Sequence, residues 1–197
     1  MWKSRLAIVR EGTASSRATN GLRKEAALAA GAVLSKPPRD YTSFGSDTYF
    51  ATTSTWGHRT LFQTDHMALL FIDTILHYRR ENKFFLHEFV VMPAHVHLLL
   101  TPVGIALERA MQFIKGGFSY RVRKELRLNM EIWERGYIDH RIRDGNDYIQ
   151  HVEYIHNNPV EKGLVARAED YPYSSAHVGF DLDPCPQGLK PGVFCNV

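Results

Sequence analysis

The chain has 197 residues, a net charge of +3 and 44% hydrophobic residues. This length and apolar content predict one globular domain with a sizeable core, and they exclude a chain that is disordered throughout. The mild positive charge permits a polyanionic partner without requiring one. No apolar run approaches the ~18 residues of a membrane span, so we expect no membrane partner.

Two features bear on the compartment. The start of the chain, MWKSRLAIVR, has basic residues but no long apolar core, so it does not predict a signal peptide. Cys185 and Cys195 are interpreted as free thiols of a reducing cytoplasm, although their spacing would also allow them to pair. We therefore expect a cytoplasmic protein.

Residues 1–45 differ in composition from the rest of the chain, with eight basic residues against three acidic ones. This pattern is typical of a basic, partly flexible N-terminal extension, which is either simply solvated or touches nucleic acid. We expect the folded domain at residues 46–180 and a C-terminal tail rich in Pro and Gly at residues 181–197.

The predicted elements follow one another closely after residue 47. TYFATTST predicts a strand, TDHMALLFIDTILHYRREN a helix, and KFFLHEFVVM and HVHLLLTP two strands joined at Pro93 and Ala94. IALERAMQFIKGGFSYRVRKELR predicts a second helix, with a bend or break at Gly116 and Gly117. WERGYIDHRIR predicts a strand or an extended segment, and NDYIQHVEYIHNNP predicts a third helix that ends at Asn158 and Pro159. The order βαββαβα predicts the α+β class, a ferredoxin-like antiparallel sheet with helices packed on it.

Two histidines interrupt the apolar stretch VVMPAHVHLLLTP. In a strand, His95, His97 and Leu99 share one face, while Val96 and Leu98 point to the other. Two imidazoles side by side need hydrogen-bond partners, and a divalent metal would satisfy both because neutral imidazole is a good ligand. The spacing leaves a metal site and a wet face of the sheet both open, and two ligands are too few for a site.

The helix predicted around HVEYIHNNP has one polar face. At about 100° per residue, Asp147, His151, Tyr154 and Asn158 fall within about 60° of one another. Laid across the histidine face of the sheet, this helix would bring Tyr154 and Asn158 to the same metal. From the helix alone, an ordinary amphipathic helix whose Tyr and Asn face water is the simpler interpretation.

The segment from residue 115 to residue 143 carries eight basic residues against four acidic ones, with aromatic residues between them. Basic groups neutralise phosphates and aromatic rings stack on unpaired bases, so the segment favours DNA contact over a merely solvated basic helix. Tyr120 is a rival nucleophile in this segment, but we interpret it as packing or stacking on DNA. The predicted DNA-binding residues are Lys115, Tyr120, Arg121, Arg123, Lys124, Arg141 and Arg143.

Taken together, these segments resemble a known family. VVMPAHVHLLL followed by HVEYIHNNPVEKGLV is similar to the HUH-class single-tyrosine transposases, and most of all to the REP-associated tyrosine transposases, relatives of the small insertion-sequence enzymes. IWERGYIDHRIRD and YPYSSAH also fit this family. The resemblance covers roughly residues 48–177, and the linked set of motifs is specific although no single motif is.

The resemblance implies a site and a reaction. His95 and His97 would be metal ligands, Asn158 the third ligand, and Tyr154 the nucleophile. The substrate would be single-stranded or hairpin DNA, cut to a 5′-phosphotyrosine and a free 3′-hydroxyl that can rejoin the strand. Two imidazoles and one amide oxygen favour Mg²⁺ or Mn²⁺ over zinc. Such a DNA transposase of a mobile or domesticated element would act beside the nucleoid, as a monomer or a homodimer.

Two departures from the family pattern stand out. Ala94 lies where relatives often carry Asn or Glu before the first histidine, and the extension at residues 1–45 is not part of the pattern. Two other functions stay open beside the transposase. One is a catalytically silent DNA-binding protein that recognises palindromic repeats, and the other is an RNA-binding ferredoxin-like module, which would expose aromatic residues on its sheet.

Overall fold

The computed structural model describes residues 47–189, and the predicted extension at residues 1–45 lies outside this range. The predicted C-terminal tail is described as far as residue 189. The four strands are β1 (Tyr49–Ser54), β2 (Phe84–Met92), β3 (His95–Pro102) and β4 (Ile138–Arg141), and the three α-helices are α1 (Asp65–Arg80), α2 (Leu107–Glu125) and α3 (Gly145–Glu161). Their order along the chain is the predicted βαββαβα.

The four strands form one antiparallel sheet in the order β2-β3-β1-β4. The hairpin of β2 and β3 turns at Pro93 and Ala94, as predicted. β1 pairs with β3 on one side, where Thr52 faces His97, and with β4 on the other, where Phe50 faces His140. The α+β class and the antiparallel sheet with packed helices are therefore confirmed.

The two faces of the sheet carry different layers because strand side chains alternate. Val96, Leu98 and Leu100 face the larger core, which α1 and α2 complete. Leu99 faces a second core with far fewer buried apolar residues, to which α3 contributes Tyr148. The histidine face of β3 is thus the face that α3 covers.

The outer edge of β2 is covered by the segment that follows α3. The N–H of Val91 donates to the carbonyl of Tyr173 (2.8 Å), and the N–H of Ser175 donates to that of Phe89 (2.9 Å). The carboxylate of Asp183, held by the Arg79 guanidinium, then accepts a hydrogen bond from the N–H of Leu86 (2.8 Å). These bonds satisfy backbone groups that an open sheet edge would leave unpaired.

Two local predictions were wrong. α2 is continuous through Gly116 and Gly117, and at Gly117 glycine allows close packing, because a Cβ there would collide with the Tyr78 ring. α3 continues through Pro159 to Glu161 and closes with the N–H of Lys162 donating to the carbonyl of Asn158. Within WERGYIDHRIR, predicted as a strand or an extended segment, the strand is the four residues Ile138–Arg141.

Candidate metal and nucleophile site

The site begins with the alternation of β3. His95 and His97 lie on the face that α3 covers, with ring centroids 4.8 Å apart. His97 is 4% exposed, whereas His95 is half-buried. Burial and the neighbouring positive charge of Lys162 lower the pKa of His95. Both imidazoles are therefore biased toward the neutral form that a metal requires.

His97 is held on both sides of its ring. Its Nδ1 lies 2.8 Å from the hydroxyl oxygen of Thr52, and its Nε2 lies 3.4 Å from Nδ2 of Asn158. Burial, together with the charge of His95, lowers the pKa of His97 from 6.5 to about 3. At neutral pH the ring is thus uncharged, and one of its nitrogens carries a lone pair rather than a proton.

Asn158 offers an oxygen that nothing else occupies. Its side chain is 2% exposed, and its buried Oδ1 has no hydrogen-bond partner among the described residues. A half-turn of the amide exchanges Oδ1 and Nδ2, two atoms of nearly the same size. Oδ1 would then lie beside Nε2 of His97 at the spacing of neighbouring ligands, since atoms about 2.1 Å from Mg²⁺ are separated by about 3 Å or slightly more. The residues present fit a divalent cation.

Tyr154 lies one helical turn before Asn158 on the same face of α3. Its ring centroid is 5.1 Å from that of His97, within one chain, and the two ring planes meet at 73°. The side chain is 43% exposed. The structure thus brings Tyr154, Asn158 and the two histidines together, with Tyr154 exposed to solvent while His97 and Asn158 are buried.

Phe50 joins these groups, and sequence reasoning did not identify it. Its ring is stacked on His97 with centroids 5.3 Å apart, and it lies 5.8 Å from the Tyr154 ring and 4.6 Å from the His151 ring. The available signal was alternation, because Phe50 and Thr52 lie two residues apart in β1 and so point to the same face. Only the pairing of β1 with β3 shows that this face is the histidine face.

A second cluster lies beside Phe50. His140, Asp147 and His151 offer three ligand atoms within 4.8 Å of one another. However, Oδ2 of Asp147 already accepts hydrogen bonds from Nε2 of His140 (2.8 Å) and from the backbone N–H (3.0 Å) and side chain (3.2 Å) of Arg143. Burial raises the pKa of Asp147, but these donors outweigh it and hold the pKa at about 2. Because a guanidinium occupies the carboxylate, we assign this cluster to hydrogen bonding rather than to a cation.

The predicted DNA-binding residues of α2 lie in the other layer, across the sheet from Tyr154. Lys115 is half-buried and donates to the backbone carbonyls of Glu134 and Gly136. Arg121 pairs with Asp73 and with Glu125, each at 2.6 Å. These two side chains make contacts within the protein, and their role in DNA binding stays a prediction.

The remaining predicted DNA contacts are more accessible. Tyr120 is 59% exposed with the ammonium of Lys124 above its ring, and Arg123 is exposed. Arg141 pairs with Asp47 (3.2 Å), and the exposed Arg143 pairs with Asp147 beside the start of α3. Of this set, Arg143 directly contacts the helix that carries Tyr154. The DNA-binding role of all of these residues also stays a prediction.

The chain is similar in sequence to transposases. Residues 48–158 match the family model described as IS200-like transposase. A REP-associated tyrosine transposase of Escherichia coli is 30% identical over 66% of this chain and 76% of its own length. A putative REP-associated tyrosine transposase of Haemophilus influenzae is 30% identical over 73% of this chain and 86% of its own.

A solved structure agrees with these relatives. A REP-associated tyrosine transposase bound to a REP hairpin shares the fold with a TM-score of 0.61 and 29% identity, over 79% of this chain and 88% of that one. Family membership implies a DNA-cleaving and strand-transferring enzyme with a metal requirement. Within residues 47–189, no helix is long and apolar enough to cross a membrane. The chain belongs to the IS200-like transposase family, in its branch of REP-associated tyrosine transposases.

Proposed function

We propose that this protein nicks and rejoins single-stranded DNA at hairpin-associated sites, with Tyr154 as nucleophile and His95, His97 and Asn158 as ligands of a divalent metal. The observation that carries the proposal is the position of α3, which brings the Tyr154 ring 5.1 Å from that of His97 and the Asn158 amide 3.4 Å from Nε2 of His97. Mg²⁺ or Mn²⁺ suits this mixed nitrogen and oxygen set, and when bound it would offset the charge of the scissile phosphate.

The covalent step uses the phenol of Tyr154. Its oxygen loses a proton and attacks the phosphorus, forming a phosphorus–oxygen bond while the bond to the 3′ oxygen of the preceding nucleotide breaks. That 3′ oxygen takes up a proton and becomes a free 3′-hydroxyl. The products are a 5′-phosphotyrosine and a 3′-hydroxyl, and attack by a 3′-hydroxyl on the phosphotyrosine reverses the step. Energy stored in the phosphodiester is kept, which allows rejoining.

The ligands and the nucleophile belong to one chain. His97, Asn158 and Tyr154 meet without a contribution from a second copy. We infer that a single protomer can cut its DNA, whether or not the protein also forms a homodimer. The reaction would take place in the compartment that holds the chromosome, because the proposed substrate is DNA.

The hairpin substrate is inferred from two lines of support. One similar protein has been solved bound to a REP hairpin. In this chain, the exposed guanidinium of Arg143 lies beside the first turn of α3, where it can reach a backbone phosphate near Tyr154. A charged contact of this kind positions DNA without reading its sequence.

The test is covalent capture. Purified protein is incubated with labelled single-stranded hairpin DNA and Mn²⁺ or Mg²⁺, and the adduct is resolved on a denaturing gel. We expect an adduct that is lost in Tyr154→Phe and in His95→Ala and kept in Tyr120→Phe, since Tyr120 lies across the sheet. DNA binding without an adduct under either metal would instead support a catalytically silent repeat-binding protein. An adduct that survives Tyr154→Phe would overturn the assignment of the nucleophile.

A further inference from the structure

α3 crosses the whole sheet. Near its start, Asp147 contacts His140 of β4, and further along, His156 contacts Glu88 of β2. β4 and β2 are the two outer strands in the order β2-β3-β1-β4. The helix therefore runs from one edge of the sheet to the other, above the two central strands that carry Phe50, Thr52 and His97.

The contact at the β4 edge is a connected set of hydrogen bonds. Asp144 caps α3 by accepting from the N–H of Asp147, which fixes the first turn. The carboxylate of Asp147 accepts from Nε2 of His140, and Nδ1 of His151 donates to the carbonyl of Asp147. The rings of His140 and His151 are stacked with centroids 4.9 Å apart. His151 then touches Phe50, which touches Tyr154.

The contact at the β2 edge depends on a bulge. Nε2 of His156 lies 2.8 Å from Oε2 of Glu88, and both side chains are mostly buried. The register of β2 shifts between Leu86 and Glu88. As a result Leu86 faces the larger core, while Glu88, two residues on, faces α3. The bulge thus turns a carboxylate toward α3, where it contacts His156, two residues before the predicted ligand Asn158.

The apolar core under α3 is the smaller of the two cores. The core under α3 contains far fewer buried apolar residues than the core on the other face, and α3 contributes Tyr148 and Ile155 to it. Apolar contact is not directional, so it does not by itself define the rotation or the slide of a helix. Two hydrogen-bonded pairs at opposite edges define both, because each has a narrow range of distance and angle.

We infer that the pairs His140–Asp147 and His156–Glu88 position the tyrosine helix, so that Tyr154 and Asn158 meet His97 in the orientation that the reaction needs. The inference rests on the proposed function for its chemical consequence. Glu88 and His140 are positioning residues, since they act through α3. Along α3, Tyr154 lies between Asp147 and His156, and Asn158 lies about half a turn after His156.

The test removes one partner of each pair. Glu88→Ala and His140→Ala delete a contact, while Glu88→Gln keeps an acceptor oxygen and His140→Gln keeps a donor N–H. Asp183→Ala is the matched control, because it removes a carboxylate at the same β2 edge whose hydrogen bonds go to Arg79 and to the N–H of Leu86 rather than to α3. Hydrogen–deuterium exchange of residues 145–161 is followed on the free protein. The rate of adduct formation at saturating hairpin DNA and the DNA Kd are measured in parallel.

We expect faster exchange in α3 for both alanine variants, and adduct formation slowed by about tenfold or more at an unchanged DNA Kd, because a small misplacement of a nucleophile is costly. The glutamine variants should recover most of the rate, and Asp183→Ala should show neither effect. Unchanged exchange in α3, or an equal loss of rate in Asp183→Ala, would overturn the inference. Wild-type protein that forms no adduct would refute the proposed function instead, and the exchange data would then decide the positioning by themselves.

Discussion

The hydroxyl oxygen of Thr52 lies 2.8 Å from Nδ1 of His97, across the pairing of β1 with β3. A cation bound at Nε2 needs the lone pair of that nitrogen, so the ring proton must sit on Nδ1. The hydroxyl of Thr52 can accept that proton and thereby hold both the tautomer and the ring plane. Hydrogen bonds of this kind tune a metal site from outside its ligand set.

Thr52→Val should therefore weaken the metal site. The change keeps the shape of the side chain but removes the acceptor for Nδ1 of His97, and we expect Mn²⁺ affinity to fall by about 10- to 100-fold. Titration calorimetry of the free protein measures this. Thr53→Val is the matched control, because Thr53 points to the opposite face and its buried hydroxyl has no partner among the described residues. Equal affinities in the two variants would contradict the prediction.

Neighbouring asparagines allow a sharp test of the third ligand. Asn158 is buried beside His97, whereas Asn157, about 100° away around α3, is exposed. We expect Asn158→Ala to lower Mn²⁺ affinity and the rate of adduct formation, since it removes the amide oxygen, and Asn158→Asp to retain most of the affinity because it keeps an oxygen. Asn157→Ala should behave as wild type. The prediction fails if the two alanine variants bind Mn²⁺ alike.

The sequence predicted those parts of the site that follow from the periodicity of a strand or a helix. Alternation in β3 placed His95 and His97 on one face, and helical spacing placed Tyr154 and Asn158 on another. The structure brings these two faces together. Neither periodicity shows which strands pair with each other. The residues that contact the site from a neighbouring strand were therefore missed. Thr52 and Phe50 belong to this class, because their contact with His97 depends on the register of β1 against β3.

Local signals failed where tertiary contacts outweigh them. Gly117 does not break α2, and its missing side chain leaves room for the ring of Tyr78. Pro159 does not end α3, which continues for two more residues. Glu88 was not singled out, since its direction depends on a bulge that single-sequence periodicity does not reveal. Lys115 was predicted to bind DNA because of its charge. The backbone carbonyls that its ammonium contacts could not be predicted from the sequence.

Lys115 should matter for stability. Its ammonium is half-buried and donates to the carbonyls of Glu134 and Gly136, which ties α2 to the segment before β4. Lys115→Met leaves these carbonyls without a donor, and we expect the free energy of unfolding to fall by about 1–3 kcal/mol in urea denaturation. Lys124→Met, at an exposed position of the same helix, is the control and should cost little. A larger loss in the control would contradict this assignment.

We expect Arg143 to contact a DNA phosphate directly. Its side chain is 74% exposed beside the first turn of α3. Arg143→Gln should reduce the salt dependence of hairpin binding by about one phosphate contact, a change in slope of about 0.7–0.9 in a plot of log K against log salt. Fluorescence anisotropy over a range of salt concentrations measures it. Arg167→Gln, another exposed arginine that pairs with Asp170, should leave the slope unchanged, and an equal change in both would count against a specific contact.

The buried neutral His97 should make the metal-free protein sensitive to acid. Burial and the charge of His95 lower its pKa from 6.5 to about 3 in the folded state. Between these values the unfolded chain binds a proton that the folded chain does not, so stability rises with pH and is lost on acidification. The loss from this one group approaches about 1.4 kcal/mol per pH unit inside the window.

His97→Gln removes this titrating group, so the variant should lose less free energy of unfolding than the wild type between about pH 7 and pH 4.5. Urea denaturation in the presence of a chelator at the two pH values measures the difference, because a bound metal would add its own linkage. His77→Gln, on the exposed side of α1, is the control and should follow the wild type. If the wild type and His97→Gln lost the same free energy on acidification, the pKa of His97 would not be lowered in the folded protein, and the prediction would be wrong.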